Sequence, residues 1–173
     1  KTIYTVGGTA AVTYNIAGYT TRCAWATGWD NGNAAKWWEI EFNTTGYYNL
    51  ELSSRQRSSP TGPKNFILQY KIGVAGIWTA VPAAPAITVA DNFTVAVLSN
   101  IPLPVACENQ PSVYVRWIMS SNTSVNNGTV ASGGSSRIDD VVIQANDSQN
   151  HYRSKATGDW SDINVWEISP DLI

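Results

Sequence analysis

Three groups of residues have the chemistry to hold a ligand. Trp25, Trp29 and Trp37 flank the polar loop Asp30-Asn31-Gly32-Asn33, which sets flat aromatic faces beside amides and a carboxylate. That mixture suits a sugar: the C–H groups of a pyranose stack on an indole, and its hydroxyls bond to Asp, Asn or Arg at the edge. The bland alternative is that Trp25 and Trp29 pack beneath the loop as core. A second group is Arg55 and Arg57, two apart at a strand end in Ser53-Ser54-Arg55-Gln56-Arg57-Ser58-Ser59, so that both project from one face. They either grip a carboxylate or sulfate on an acidic glycan or form a solvated rim paired with Glu39, Glu41 and Glu51. The third is Asp139-Asp140 at the start of the strand Arg137–Gln144. Strict alternation puts Asp139 on a face with Val141 and Ile143, and Asp140 on the other with Ile138 and Val142. A carboxylate beside an apolar face must be paired or bind a cation, and Arg137, Arg116 and Arg55 are the candidate partners.

Catalytic signatures are missing. The sequence has no GxSxG, no P-loop and no HExxH, and its only histidine is His151, outside the strand-rich part. No catalytic residue is assigned, and the expectation is a non-enzyme.

Positioning these residues falls to β-structure. β-branched and aromatic segments recur every 10 to 20 residues between Gly, Pro, Asn and Ser clusters, and no stretch keeps a helical period. The expected strands are Ile3–Val6, Ala10–Tyr14, Thr20–Ala26, Trp37–Asn43, Tyr47–Ser53, Asn65–Ile72, Trp78–Val81, Phe93–Leu98, Val113–Met119 and Arg137–Gln144. So many short strands predict an all-β fold, a two-sheet antiparallel β-sandwich of jelly-roll type. Alternation turns Trp38, Ile40 and Phe42 inward with Phe66, Leu68, Tyr70, Val113, Val115, Trp117 and Met119, and leaves Trp37 on the outer face with Glu39 and Glu41. The sandwich is assigned to residues 1–145. Residues 146–173, opening on the linker-like Asn146-Asp147-Ser148-Gln149-Asn150, are expected to be a docked tail or the truncated start of a following module.

Composition narrows the function. With 173 residues, 13 acidic against 11 basic side chains and a net charge of −2, the chain has no broad cationic field, which argues against nucleic acid. No apolar run approaches the ~18 residues of a membrane span, so no membrane insertion is expected. Cys23 and Cys107 are either a disulfide, stabilising by about 4 kcal/mol in the chain-entropy model and implying an oxidising setting, or two small buried hydrophobes.

The segments Asn65-Phe66-Ile67-Leu68-Gln69-Tyr70-Lys71, Trp78-Thr79-Ala80-Val81, Val113-Tyr114-Val115-Arg116-Trp117 and Ser135-Ser136-Arg137-Ile138-Asp139-Asp140-Val141-Val142-Ile143 carry a resemblance. Residues 20 to 144 resemble the jelly-roll accessory domains of large secreted bacterial proteins, whose form is similar to that of carbohydrate-binding modules. The tail His151–Ser161 with Trp166-Glu167 looks like the opening of a repeat common in Bacteroidota proteins exported by the type IX system. The resemblance implies a secreted or cell-surface, non-catalytic, monomeric module. It would bind glycan or polysaccharide, contact neighbouring domains of its parent protein, and hold a structural Ca²⁺ at Asp139, with Asp140 beside it. A spacer or adhesion domain without a small ligand is the alternative. One departure stands out: family members carry Asp-Gly after the first of these strands, whereas here the turn is Gly73-Val74-Ala75-Gly76. Glu39-Ile40-Glu41 is also similar to the paired acids of jelly-roll glycanases, but their third acid falls on Thr44.

Overall fold

The computed structural model describes residues 2–145, 151–154, 161 and 166–169, the last two strand segments by backbone alone. The expected sandwich is present. Sheet A orders β1 (Tyr4–Val6), β4 (Trp37–Phe42), β10 (Val113–Met119), β6 (Asn65–Ile72) and β7 (Thr79–Ala80), with β8 (Ile87–Thr88) also paired to β6. Sheet B orders β2 (Thr13–Ala17), β3 (Arg22–Ala26), β11 (Ser136–Ala145), β5 (Leu50–Ser58) and β9 (Ala96–Pro102). All pairs are antiparallel. The short strands β12 (His151–Ser154) and β13 (Trp166–Ser169) form a separate ribbon. The rest of the tail, and with it the expected boundary near residue 146, lies outside the described residues.

The alternation pattern places the core correctly in sheet A. Trp38, Ile40, Phe42, Phe66, Leu68, Val113, Val115, Trp117 and Met119 are buried against Ala24, Ala26, Leu50, Leu52 and Ile138 of sheet B. An indole buried between sheets still needs a partner for its N–H. Trp38 Nε1 donates to Ser136 Oγ at 3.0 Å and Trp117 Nε1 to Ser54 Oγ at 3.2 Å, so two hydrogen bonds cross the core from one sheet to the other.

Sheet B departs from strict alternation. Asp139 pairs with Arg55 and Val142 with Ser53, so β11 advances three residues while β5 advances two. The extra residue is a β-bulge, with Asp140 in the left-handed region at φ 48°, a conformation Asp tolerates better than most residues. Parity reverses there, which corrects the expected faces: Ile138, Val141 and Ile143 all pack on the core, and Val142 is exposed. Asp139 falls on the outer side, on the face of Arg55, its register partner. The fifth strand also differs from expectation, running Leu50–Ser58 rather than Tyr47–Ser53. Its polar stretch Ser54, Gln56, Ser58 faces inward, and Glu51, Ser53, Arg55 and Arg57 face out.

The two cysteines are not joined. Cys23 lies on β3 with Sγ against the carbonyls of Ile16 and Ala17, whereas Cys107 ends the short 3-10 turn Val105–Cys107, and both are buried free thiols. Of the two readings, the pair of small buried hydrophobes is the one realised.

Candidate functional site

The outer face of sheet A gathers aromatic and ionisable side chains into neighbouring rows. Cross-strand register builds it. Tyr4 pairs with Glu39, Glu39 with Arg116, and Arg116 with Gln69, giving one polar row across β1, β4, β10 and β6. The next row brings Glu41, Tyr114 and Lys71 side by side. Trp37 flanks the rows at the start of β4, and Trp78 immediately precedes β7.

Each member is held by its neighbours. The Arg116 guanidinium stands 4.5 Å from the Trp37 ring centre and 4.2 Å from that of Trp78, with β10 between them. Its Nε and Nη2 both donate to Gln69 Oε1, at 2.8 and 2.6 Å. Glu39 is only 6% exposed. It accepts from Tyr4 Oη at 2.6 Å and from Trp37 Nε1 at 2.5 Å, which compensates a burial that an unpaired carboxylate could not sustain. Lys71 lies 4.5 Å from the Tyr114 ring and 5.0 Å from that of Trp78, and donates to Val74 O at 2.9 Å. Ser112 Oγ donates to Glu41 at 2.7 Å. Burial, then the bond to Glu39, pushes the Tyr4 phenol well above its usual range, so it stays a donor. Burial lowers the basicity of Arg116, against which Glu39 acts; an arginine nevertheless stays charged.

Flat rings, carboxylates, an amide and a guanidinium thus share one surface and offer both donors and acceptors. A hydroxyl is itself both. Because the rings are already fixed by cation–π and hydrogen-bond contacts, a ligand laid on them loses little side-chain freedom in binding.

The residues expected to form one site are instead dispersed. Trp29 is fully buried, its ring 5.3 Å from that of Trp38 and its Nε1 donating to Ala26 O at 2.9 Å, so it is core. Its loop folds for the sake of that core: Asp30 pairs with Lys36 at 3.7 Å, and Asn31 takes φ 52°. The Asn33 N–H donates to Asn122 Oδ1 at 2.9 Å. A Cβ on Gly32 would meet Met119 sulfur at 2.3 Å, so the loop lies tight against the end of the sandwich. Trp37 alone of the three indoles reaches the face described here. Trp25, Arg55, Arg57, Asp139 and Asp140 lie on the opposite side of the molecule, on sheet B. Sequence reasoning missed Tyr4, Gln69, Tyr114, Arg116 and Trp78 as a group. Outward parity on β6 and β10 marks Gln69, Tyr114 and Arg116 as surface residues, but only the strand pairing brings them together with Tyr4 and Trp78.

Asp139 and Asp140 were the candidate cation ligands. Asp139 Oδ2 accepts the Tyr19 N–H at 2.6 Å and Oδ1 the Asp140 N–H at 2.9 Å, while Asp140 pairs with Arg55 Nε at 3.3 Å. Gly18 lies close against this carboxylate: a Cβ there would come within 2.2 Å of Asp139 Oδ2, so the side chain would have to shift. Calcium takes six to eight oxygens. Among the described residues no three acidic, His or Cys side chains stand together.

Two clefts open between the sheets, of about 480 and 380 Å³, sharing Phe42 and Ile143. Beside them β11 pairs with β3 only over Ser136–Ile138, so one edge of its later half has no strand partner among the described residues.

No family model matches the sequence, and none of the curated proteins does. Solved structures do. The CBM22-1 xylan-binding domain of Paenibacillus barcinonensis Xyn10C aligns with a TM-score of 0.53 at 14% identity, over 83% of this chain and 85% of that one. The N-terminal cellulose-binding domain of Cellulomonas fimi β-1,4-glucanase C has a TM-score of 0.45 at 10% identity, over 84% and 90%. A family 30 carbohydrate-binding module also has 0.45, at 11% identity, over 94% and 84%. Two open antiparallel sheets with this core, and the likeness to the first of these domains, make the chain a β-sandwich with the fold of the carbohydrate-binding modules.

Proposed function

We propose that this domain is a non-catalytic carbohydrate-binding module, part of a larger secreted or cell-surface protein, that takes a polysaccharide across the outer face of sheet A. The observation that carries the reading is the row Trp37–Arg116–Trp78, with Glu39 and Gln69 in the same row of strands. Indole faces and edges offer the C–H surface of a sugar ring a place to stack, and the carboxylates, amide and guanidinium pair with hydroxyls in either direction. The xylan-binding name of the similar domain with a TM-score of 0.53 supports the same ligand class. Affinity per site should be weak and become useful through tethering to the parent protein.

The test is retention on insoluble polysaccharides, xylan and cellulose among them, with intrinsic Trp fluorescence read in parallel. Retention that drops at least tenfold in Trp37→Ala and in Gln69→Ala, in variants that melt as the parent does, supports the face. Absence of retention on every polysaccharide, with unchanged fluorescence, turns the reading to a spacer or adhesion domain.

A further inference from the structure

The outer face of sheet B is built differently. Its central row is Trp25, Arg137 and Arg57, on β3, β11 and β5, adjacent by register: Arg137 pairs with Trp25 on one side and with Arg57 on the other. Two arginines directly opposite each other repel, so the row calls for negative charge. One acid answers. Asp91 Oδ1 accepts from Arg57 Nε at 2.9 Å and lies 2.9 Å from its Nη2. Arg137 has no acidic partner among the described residues; its Nη1 donates to Ala17 O at 3.2 Å, which leaves Nε and Nη2 without a bond there. The Trp25 indole N–H likewise makes no hydrogen bond among the described residues.

The charges nearest this row are taken up elsewhere, and Glu51, at the far end of β5, accepts from Gln144 Nε2 at 2.9 Å. Arg55 pairs with Asp140, donates to Phe93 O at 3.2 Å and lies 4.1 Å from the Tyr19 ring centre. Asp139 is held by two backbone N–H groups, as described above. What faces solvent in the central row is therefore a set of donors: an indole N–H, most of one guanidinium and the free end of another. Sheet A offers donors and acceptors together, as hydroxyls require. A row of donors matches instead a group that only accepts, and two planar guanidinium forks match one whose oxygens lie in a pair.

We propose that Trp25, Arg137 and Arg57 form a second ligand site, on the opposite face of the sandwich from the first, for the anionic group of an acidic polysaccharide, a carboxylate or sulfate ester. Arg137 and Arg57 hold the anionic oxygens, Trp25 lies against the sugar that bears them, and Asp91 occupies part of Arg57 until the ligand arrives.

The experiment is affinity electrophoresis of the whole chain in gels carrying polygalacturonate, its methyl ester, dextran sulfate or dextran. The native protein should be retarded by at least one of the two polyanions and by neither neutral counterpart, with retardation falling as salt rises. Retention by polygalacturonate or by dextran sulfate alone identifies the anion as carboxylate or sulfate. Arg137→Gln and Trp25→Ala should each weaken retention at least tenfold, Arg137→Lys less, and Asp91→Asn should strengthen it severalfold by freeing Arg57. Should Arg137→Gln fail to fold, Trp25→Ala and Asp91→Asn decide. Equal retention by the methyl ester, no retention by either polyanion, or indifference to Arg137 and Asp91 overturns the site. Retention of polyanion that survives Trp37→Ala separates this site from the face of sheet A, so either can fail alone.

Discussion

Replacing Arg116 with leucine removes a cation on which four side chains of sheet A depend. Two half-buried cation–π contacts, at 4.5 and 4.2 Å, contribute about 0.5–1 kcal/mol each. The paired bonds to Gln69 add about 1.5–3 kcal/mol as charge-assisted hydrogen bonds. Partial exposure discounts that sum, and the apolar area of leucine restores some of it. Loss of the positive charge on the register partner of the buried Glu39 acts the other way. The expected destabilisation is about 2–4 kcal/mol, or roughly 6–14 °C in Tm for a domain of this size. Urea unfolding followed by Trp fluorescence measures it, with the denaturant slope unchanged. Trp78→Leu should couple to Arg116→Leu by about 0.5–1 kcal/mol in a double-mutant cycle. A loss under about 1 kcal/mol, or strictly additive variants, would show that Arg116 rests on the face without organising it.

Four further outcomes follow from the same contacts. Trp29→Ala should cost about 3–5 kcal/mol and leave ligand retention unchanged in whatever fraction stays folded, because the ring is core; thermal melts and pull-downs separate the two. Val141→Lys should unfold or severely destabilise the domain while Val142→Lys stays within about 0.5 kcal/mol, a direct reading of the bulge by denaturant titration. Cys107 has its thiol pushed up to about 12, and burial raises Cys23 as well. Neither should react with a thiol reagent at about pH 8 until denaturant is added. The raised Tyr4 phenol binds its proton more tightly folded than unfolded. Its contribution is therefore complete below the usual tyrosine value of about 10 and is lost as pH rises beyond it. Ultraviolet difference titration should show one tyrosine resisting ionisation, and Glu39→Gln should move it back toward the ordinary range.

Where strands run regularly, period-two alternation was enough to read the fold. β6 and β10 have the expected limits, and their inward residues are the core. Sheet B was harder because its irregularities carry no local signal. Nothing in Arg-Ile-Asp-Asp-Val-Val-Ile announces that Asp140 adopts a positive φ, so the faces beyond it were read with inverted parity. The polar run Ser54–Ser58 hid the second half of β5, since a strand whose inward side chains are Ser and Gln lacks the apolar beat that reveals strands. Trp29 shows the limit for sites. An indole beside Asp, Asn and Gly has a composition consistent with both a ligand platform and a core anchor. Only the packing against Trp38 and Phe66 separates them. The row across sheet A needed register, which is a property of strand pairs and not of any one segment.

The two indole bonds that cross the core have a mechanical meaning. By tying Trp38 to Ser136 and Trp117 to Ser54 they resist sliding of one sheet over the other, so the outer surfaces behave as the two sides of a stiff plate whose layers lie about 10 Å apart. Such a plate cannot lay both sides along one straight polymer. Ligands held on opposite sides would belong to different strands of a wall or matrix, so the domain would act as a rivet between polymer chains, and its occupancy would register as stiffness of the gel around it.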